Sequence, residues 1–145
     1  MYKLLILLGY TMTACAVSHN ISRGIKGKIT WYEGDRMPGV NRPMNPGKPV
    51  RRTLYIYDLT NQREAVSRNG IFYSDIKTRL IKKVKSDPSG NFSLSLPSGK
   101  YSVFVKEEQG LFANMLDGAG NINPVEVTED SVTEMDIRVD YKAYY

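Results

Sequence analysis

The chain contains one histidine, His19, and it lies close to the N-terminus, before the first patterned segment. A Ser–His or Cys–His nucleophile pair, or a multi-histidine metal centre, needs an imidazole as base or ligand. The body of the chain has none to offer. The acidic pairs Glu107-Glu108 and Glu129-Asp130 are adjacent in sequence. Neighbouring strand residues point to opposite faces, so neither pair forms an acid–base dyad, and both read as solvated residues beside turns. Asp117, Asn121 and Asn123 offer oxygens to a hard cation such as calcium, but a tight Gly-rich loop uses the same residues to bond its own backbone. Met37 and Met44 lack a Cys or His partner for copper and read as adaptable apolar contacts. No cofactor and no catalysis are expected. What remains is a mixed basic and aromatic set: Arg42, Lys48, Arg51, Arg52, Tyr55 and Tyr57. Charge and cation–π contact suit that set to an anionic or sugar-bearing ligand.

Cys15 is the only cysteine, so the chain cannot form an intramolecular disulfide. Residues 1–14 carry one charge, Lys3, then the run Leu4-Leu5-Ile6-Leu7-Leu8, then small residues before the cysteine. A positive start, a short apolar stretch and small residues at a cut site form an export pattern. The apolar stretch is too short to cross a bilayer core of about 30 Å, which takes roughly 20 residues. An unpaired cysteine in an exported chain calls for an explanation. Met12-Thr13-Ala14-Cys15 resembles a lipobox, the sequence at which bacterial lipoproteins are acylated and cleaved, with Met12 where Leu is usual. The resemblance implies a signal peptide over 1–14, a lipid on Cys15, a tether over 15–23 and the membrane as a partner through that lipid. It further implies the outer membrane, on its periplasmic side, because Ala16 stands where Asp commonly retains lipoproteins in the inner membrane. The formal net charge of +5 is mildly basic. Nucleic acid is not an expected partner of such a chain, whereas an envelope protein, a glycan or an anionic lipid is.

The elements that must position these residues read as strands. Ile25, Gly27, Ile29 and Trp31 alternate with Lys26, Lys28 and Thr30, the period of a half-buried strand. Residues 33–49 hold Gly34, Pro38, Gly39, Pro43, Pro46, Gly47 and Pro49 and read as an irregular loop. Leu54 and Ile56 alternate with Tyr55 and Tyr57, which puts the two tyrosines on the surface side. Residues 59–76 carry weaker signals: a helical turn near Gln62 and a turn at Asn69-Gly70. The lysine-rich stretch 77–85 reads as an edge strand protected by charge. Asp87-Pro88-Ser89-Gly90 and Pro97-Ser98-Gly99 are turns. Between and after them, Phe92, Leu94, Leu96 and then Tyr101, Val103, Val105 alternate with polar residues, as in an antiparallel hairpin. Val125 and Val127, then Met135, Ile137, Val139 and Tyr141, suggest two last strands. About seven short strands without a long helix argue for an antiparallel sandwich.

Two stretches carry a family resemblance. Gly24-Ile25-Lys26-Gly27-Lys28-Ile29 looks like the opening strand of carboxypeptidase regulatory-like domains. Asp87-Pro88-Ser89-Gly90-Asn91-Phe92 followed by Leu96-Pro97-Ser98-Gly99-Lys100-Tyr101 resembles their middle, a turn, a Phe strand, a Leu-Pro-x-Gly turn and a Tyr-led strand. The resemblance implies an all-β, antiparallel, seven-stranded Greek-key sandwich of the transthyretin (prealbumin) kind over 24–145, with a loop-rich insertion at about 33–76 that departs from the family. It implies a noncatalytic binding or structural module. Transthyretin-like hydrolases that open a purine ring use a histidine-containing site and a different C-terminal tail from Tyr141-Lys142-Ala143-Tyr144-Tyr145, so their activity does not carry over. Two alternatives stand beside the module: a small envelope hydrolase with a His-free site, and a carbohydrate- or peptide-binding accessory protein.

Overall fold

The computed structural model of this chain describes residues 20–145, so the expected signal peptide, Cys15 and the start of the tether lie outside the described residues. The described residues form β1 (Gly24–Asp35), β2 (Lys48–Pro49), β3 (Thr53–Asp58), β4 (Val66–Arg68), β5 (Phe72–Ser74) and β6 (Leu80–Lys85). They continue through β7 (Asn91–Ser95), β8 (Gly99–Glu107), β9 (Gly110–Phe112), β10 (Pro124–Val127), β11 (Val132–Glu134) and β12 (Ile137–Tyr144). A single 3-10 turn, Gln62–Glu64, is the only helical element among them. It stands where the sequence signals a helical turn and is closed by a capping box between Asn61 and Glu64.

Two sheets pack face to face as an all-β sandwich. The first has five strands around β1, with β7 and β2 antiparallel on one side and β11 and β12 parallel on the other. The second has seven strands in the order β4-β5-β9-β8-β3-β6, with β10 also paired to β8, and all its pairs are antiparallel. The parallel pairing of the first and last strands departs from a purely antiparallel sandwich. Alternation reports which face is buried and is blind to strand direction.

The core between the sheets contains Ile25, Ile29, Phe92 and Leu94 from one side and Leu54, Ile56, Val103 and Val105 from the other, all buried. Phe92, Leu94, Leu96, Tyr101, Val103 and Val105 are buried as the sequence predicts, but they do not form a hairpin. β7 pairs with β1, and β8 pairs with β3, β9 and β10. Pro97-Ser98-Gly99 is therefore an arch that carries the chain from one sheet to the other. Both strands face one core from opposite sides, and so show the same alternation as a hairpin. The Tyr101 hydroxyl donates to the Pro97 carbonyl at 2.7 Å and ties the arch to the strand it feeds.

A second apolar cluster lies on the outer face of the second sheet: Tyr73, Phe104, Leu111, Ala113 and Ile122, with Tyr55 and Tyr57 packed against it. β8 is therefore buried on both faces from Tyr101 to Val105. Chain from 59–65 and 113–123 contributes to this cluster, and the two stretches bond to each other. Ile122 N–H donates to Thr60 C=O at 2.8 Å and Gln62 N–H to Gly120 C=O at 2.9 Å. The stretch 33–76 is thus more than a loop-rich insertion. It supplies β3, whose Leu54 and Ile56 are fully buried between the sheets. β6 is an edge strand with exposed Lys82, Lys83 and Lys85, in keeping with the charge-protected edge.

Candidate functional site

The site grows from the inward alternation of β8. Tyr101, Val103 and Val105 face the core, so Glu107, the next residue of the same parity, arrives at the core's rim. Its side chain is only 5% exposed. A buried carboxylate needs partners, and Glu107 has two. Arg52 Nε donates to Oε1 at 2.6 Å, and the Tyr141 hydroxyl donates to Oε2 at 2.8 Å. Glu107 therefore does not behave as the solvated turn residue expected from the Glu107-Glu108 pair.

Each partner is held by its own element. Arg52 immediately precedes β3, and its N–H donates to the Ser86 hydroxyl at 2.8 Å, while Nη1 donates to Arg51 C=O at 3.1 Å. Tyr141 stands edge-on to Trp31 and Phe72, with ring centroids 5.1 and 5.0 Å apart, and 5.5 Å from Phe112. A β-bulge aims it: Trp31 pairs with Val139 and Glu33 with Lys142, so β12 advances three residues while β1 advances two. The extra residue brings both Tyr141 and Lys142 to one opening, the usual effect of a bulge on side-chain direction. Arg52 and Lys142 lie 5.7 and 5.8 Å from the Trp31 ring centroid, within cation–π range. The result is an open cleft of about 510 Å³ lined by Trp31, Arg52, Lys106, Glu107, Glu108, Tyr141 and Lys142.

The polar groups at its floor are bonded to one another: Glu107 accepts from both Arg52 and Tyr141. Burial, then the hydrogen bond and charge of Glu107, push the Tyr141 hydroxyl up to about 12. A nucleophilic or basic tyrosine needs the opposite shift. The folded protein keeps this proton where the unfolded chain, titrating near 10, has lost it. Between those values the unfolded state binds fewer protons, so stability is full below about pH 10 and falls from there to about pH 12. Tyr141→Phe should flatten the slope of unfolding free energy against pH in that window. Tyr57, Tyr73 and Tyr101, also raised chiefly by burial, leave a residual slope. An unchanged slope in the variant would mean that the Tyr141 proton is not coupled to folding.

The sequence-predicted surface divides into three places. Arg52 is in the cleft, with Arg51 exposed beside it. Lys48 sits opposite Trp31 in the β1–β2 pair, 3.9 Å from Glu33, and Arg42 pairs with Asp35 farther out on the 36–47 loop. The Asp35 carboxyl is held below its ordinary range, first by the Met37 N–H and also by Arg42. Tyr55 and Tyr57 lie on the other face of the second sheet. Tyr57 stands edge-on to Phe104 at 5.6 Å, and Lys83 caps Tyr55 at 4.6 Å. Six residues close in sequence do not make one surface, because successive β3 residues face opposite sides.

Lys106, Tyr141 and Lys142 are cleft residues that the sequence does not single out, and Trp31 and Glu107, which it assigns to the core and to a solvated turn, join them there. Extending the period of Tyr101-Val103-Val105 by one step reaches Glu107, and extending Ile137-Val139 reaches Tyr141. The Asp117 loop is bonded to itself. Asp117 Oδ1 accepts from the Ala119 and Asn121 N–H groups at 2.9 and 2.8 Å, and Oδ2 accepts from Asn121 Nδ2 at 2.8 Å. Asn123 is buried and donates to Val103 C=O at 2.7 Å. Among the described residues, no three His, Cys, Asp or Glu side chains group so as to hold a metal ion. Compared with protein-family models, with curated proteins and with solved structures, the chain finds no match.

Proposed function

We propose that this protein is a lipid-anchored, noncatalytic binding module of the bacterial cell envelope, built on a Greek-key, transthyretin-like sandwich of the carboxypeptidase regulatory-like type. The observation that carries this reading is the cleft itself: an aromatic and cationic opening whose Glu107 and Tyr141 are already committed to each other and to Arg52. A His-free hydrolase would need an ionisable group poised to react, and Tyr141 is shifted the other way.

The described chain enters the sandwich at the end of β1 away from the cleft. Arg23 Nε donates to Leu96 C=O and Gly24 N–H to Ser131 C=O, both at 3.2 Å, which pins the chain where it enters the sandwich. From Gly24 to Trp31, β1 advances about 23 Å at roughly 3.3 Å per residue. The lipid on Cys15 then holds the domain at the outer membrane, on its periplasmic side.

The test of the anchor is Cys15→Ser. Wild-type protein should incorporate labelled palmitate and sediment with membranes, and the variant should lose the label and become soluble. Two or more acyl chains give stable anchoring, so the redistribution should be nearly complete. A variant that keeps its lipid label and its membrane fraction would refute the lipoprotein reading.

A further inference from the structure

We propose that the Trp31 cleft binds an acidic sugar, a pyranose bearing a carboxylate, as part of a glycan. The proposal rests on the binding-module reading and adds the ligand's chemistry. The first observation is charge. Among the described residues Lys106 and Lys142 have no ion-pair partner, although both border the cleft. Arg52 is different: its Nε is spent on Glu107 and Nη1 on Arg51 C=O. The guanidinium is therefore partly committed, with Nη2 left without a partner among the described residues, and the full positive charges that remain unpaired at the cleft's border are two ammonium groups. These suit one carboxylate.

The second observation is the mixture of groups around those charges. Trp31 is half-buried, with its indole beside Lys142, and offers an apolar surface to the C–H face of a sugar ring. Glu108 is exposed and, among the described residues, also without a cationic partner. Its carboxylate can accept from sugar hydroxyls and repels a densely charged anion. A ring with hydroxyls and a single carboxylate satisfies the indole, the two lysines and Glu108 together. Free phosphate satisfies only the lysines.

The third observation is rigidity and placement. Arg52 is fixed by Glu107 and Ser86, and Tyr141 by three rings and Glu107, so the cleft's floor is set before any ligand arrives. A preformed floor lowers the ordering cost of binding. At about 510 Å³ the cleft falls in the range of small-ligand sites. The opening beside Asn114, Arg138, Asp140 and Tyr145 contrasts with it, because there the polar groups bond to one another.

Trp31 is the only tryptophan in the chain, so emission excited selectively at the indole, where the ten tyrosines do not absorb, reports on this cleft. The experiment titrates the full-length lipidated protein, in detergent micelles at low salt, with tetragalacturonate, with its neutral methyl ester, and with inorganic phosphate. Tetragalacturonate should change the Trp31 emission saturably, and calorimetry should give the same affinity. The ester should bind at least about tenfold more weakly, and Lys106→Gln and Lys142→Gln should each weaken tetragalacturonate by about tenfold, the effect of losing one charge-assisted contact. Both substitutions are at exposed side chains, and unchanged melting temperatures will show that the fold is intact. No saturable change at 10 mM tetragalacturonate, equal affinity for the ester, or equal affinity for phosphate would each overturn the acidic-sugar assignment. None of these outcomes touches the anchor, whose failure would appear instead as retained acylation in Cys15→Ser.

Discussion

Glu107→Ala should destabilise the protein by about 2–4 kcal/mol, read as a lower urea midpoint at an unchanged m value. The carboxylate is 5% exposed and holds two donors, so removing it strands both the Arg52 guanidinium and the Tyr141 hydroxyl. Breaking a fully buried pair costs more than this, but Arg52 keeps 32% of its side chain in water and can recover part of its hydration. Glu107→Gln should cost roughly half as much, because an amide oxygen still accepts from Tyr141 while the charge facing Arg52 is lost. A loss under about 0.5 kcal/mol for the alanine variant is what a solvated surface residue gives. That result would mean Glu107 is hydrated, and the cleft floor would lose its central member.

Phe104→Ala is expected to cost about 3–5 kcal/mol, as large as a substitution between the sheets. Phe104 is fully buried on the outer face of the second sheet, edge-on to Tyr57 at 5.6 Å and Tyr73 at 5.7 Å. On a two-layer sandwich whose outer face met water, the same change would be nearly neutral. Equilibrium urea unfolding decides between the two. Hydrogen exchange adds a local readout: amides of 59–65 and 113–123 should exchange faster in the variant, since these stretches close over the ring's cluster. Unaltered stability with unaltered exchange would mean that the outer cluster is not a core.

Both predictions concern residues whose parity is visible in the sequence and whose surroundings are not. Phe104 stands between Val103 and Val105, and in a sheet with one wet face a residue of that parity would be exposed. It is buried because 113–123, which looks like a plain Gly-rich loop, folds over it together with 59–65. That stretch's small residues let Asp117 bond its own loop, and Asn123 bonds β8. Glu107 is the converse case. Its parity points inward, while its type and its neighbour Glu108 suggest water. The partners that make burial tolerable lie 55 and 34 residues away in the chain.

Local pattern by itself determined the all-β character, the turns at 87–90 and 97–99, and the inward faces of β1, β3, β7, β8 and β12. Each follows from residue type and a two-residue period, which act over a few neighbours. Only the tertiary structure decided which strands pair, that 91–105 arches between sheets instead of closing a hairpin, and that β12 runs parallel to β1. Burial alternation is identical in all those arrangements, so it cannot choose among them. The cleft belongs to this second kind. Trp31, Arg52, Glu107 and Tyr141 come from four separate segments, and a one-residue bulge in β12 decides that Tyr141 and Lys142 share an opening with them. A bulge depends on how two distant strands register, and sequence spacing along either strand carries no record of it.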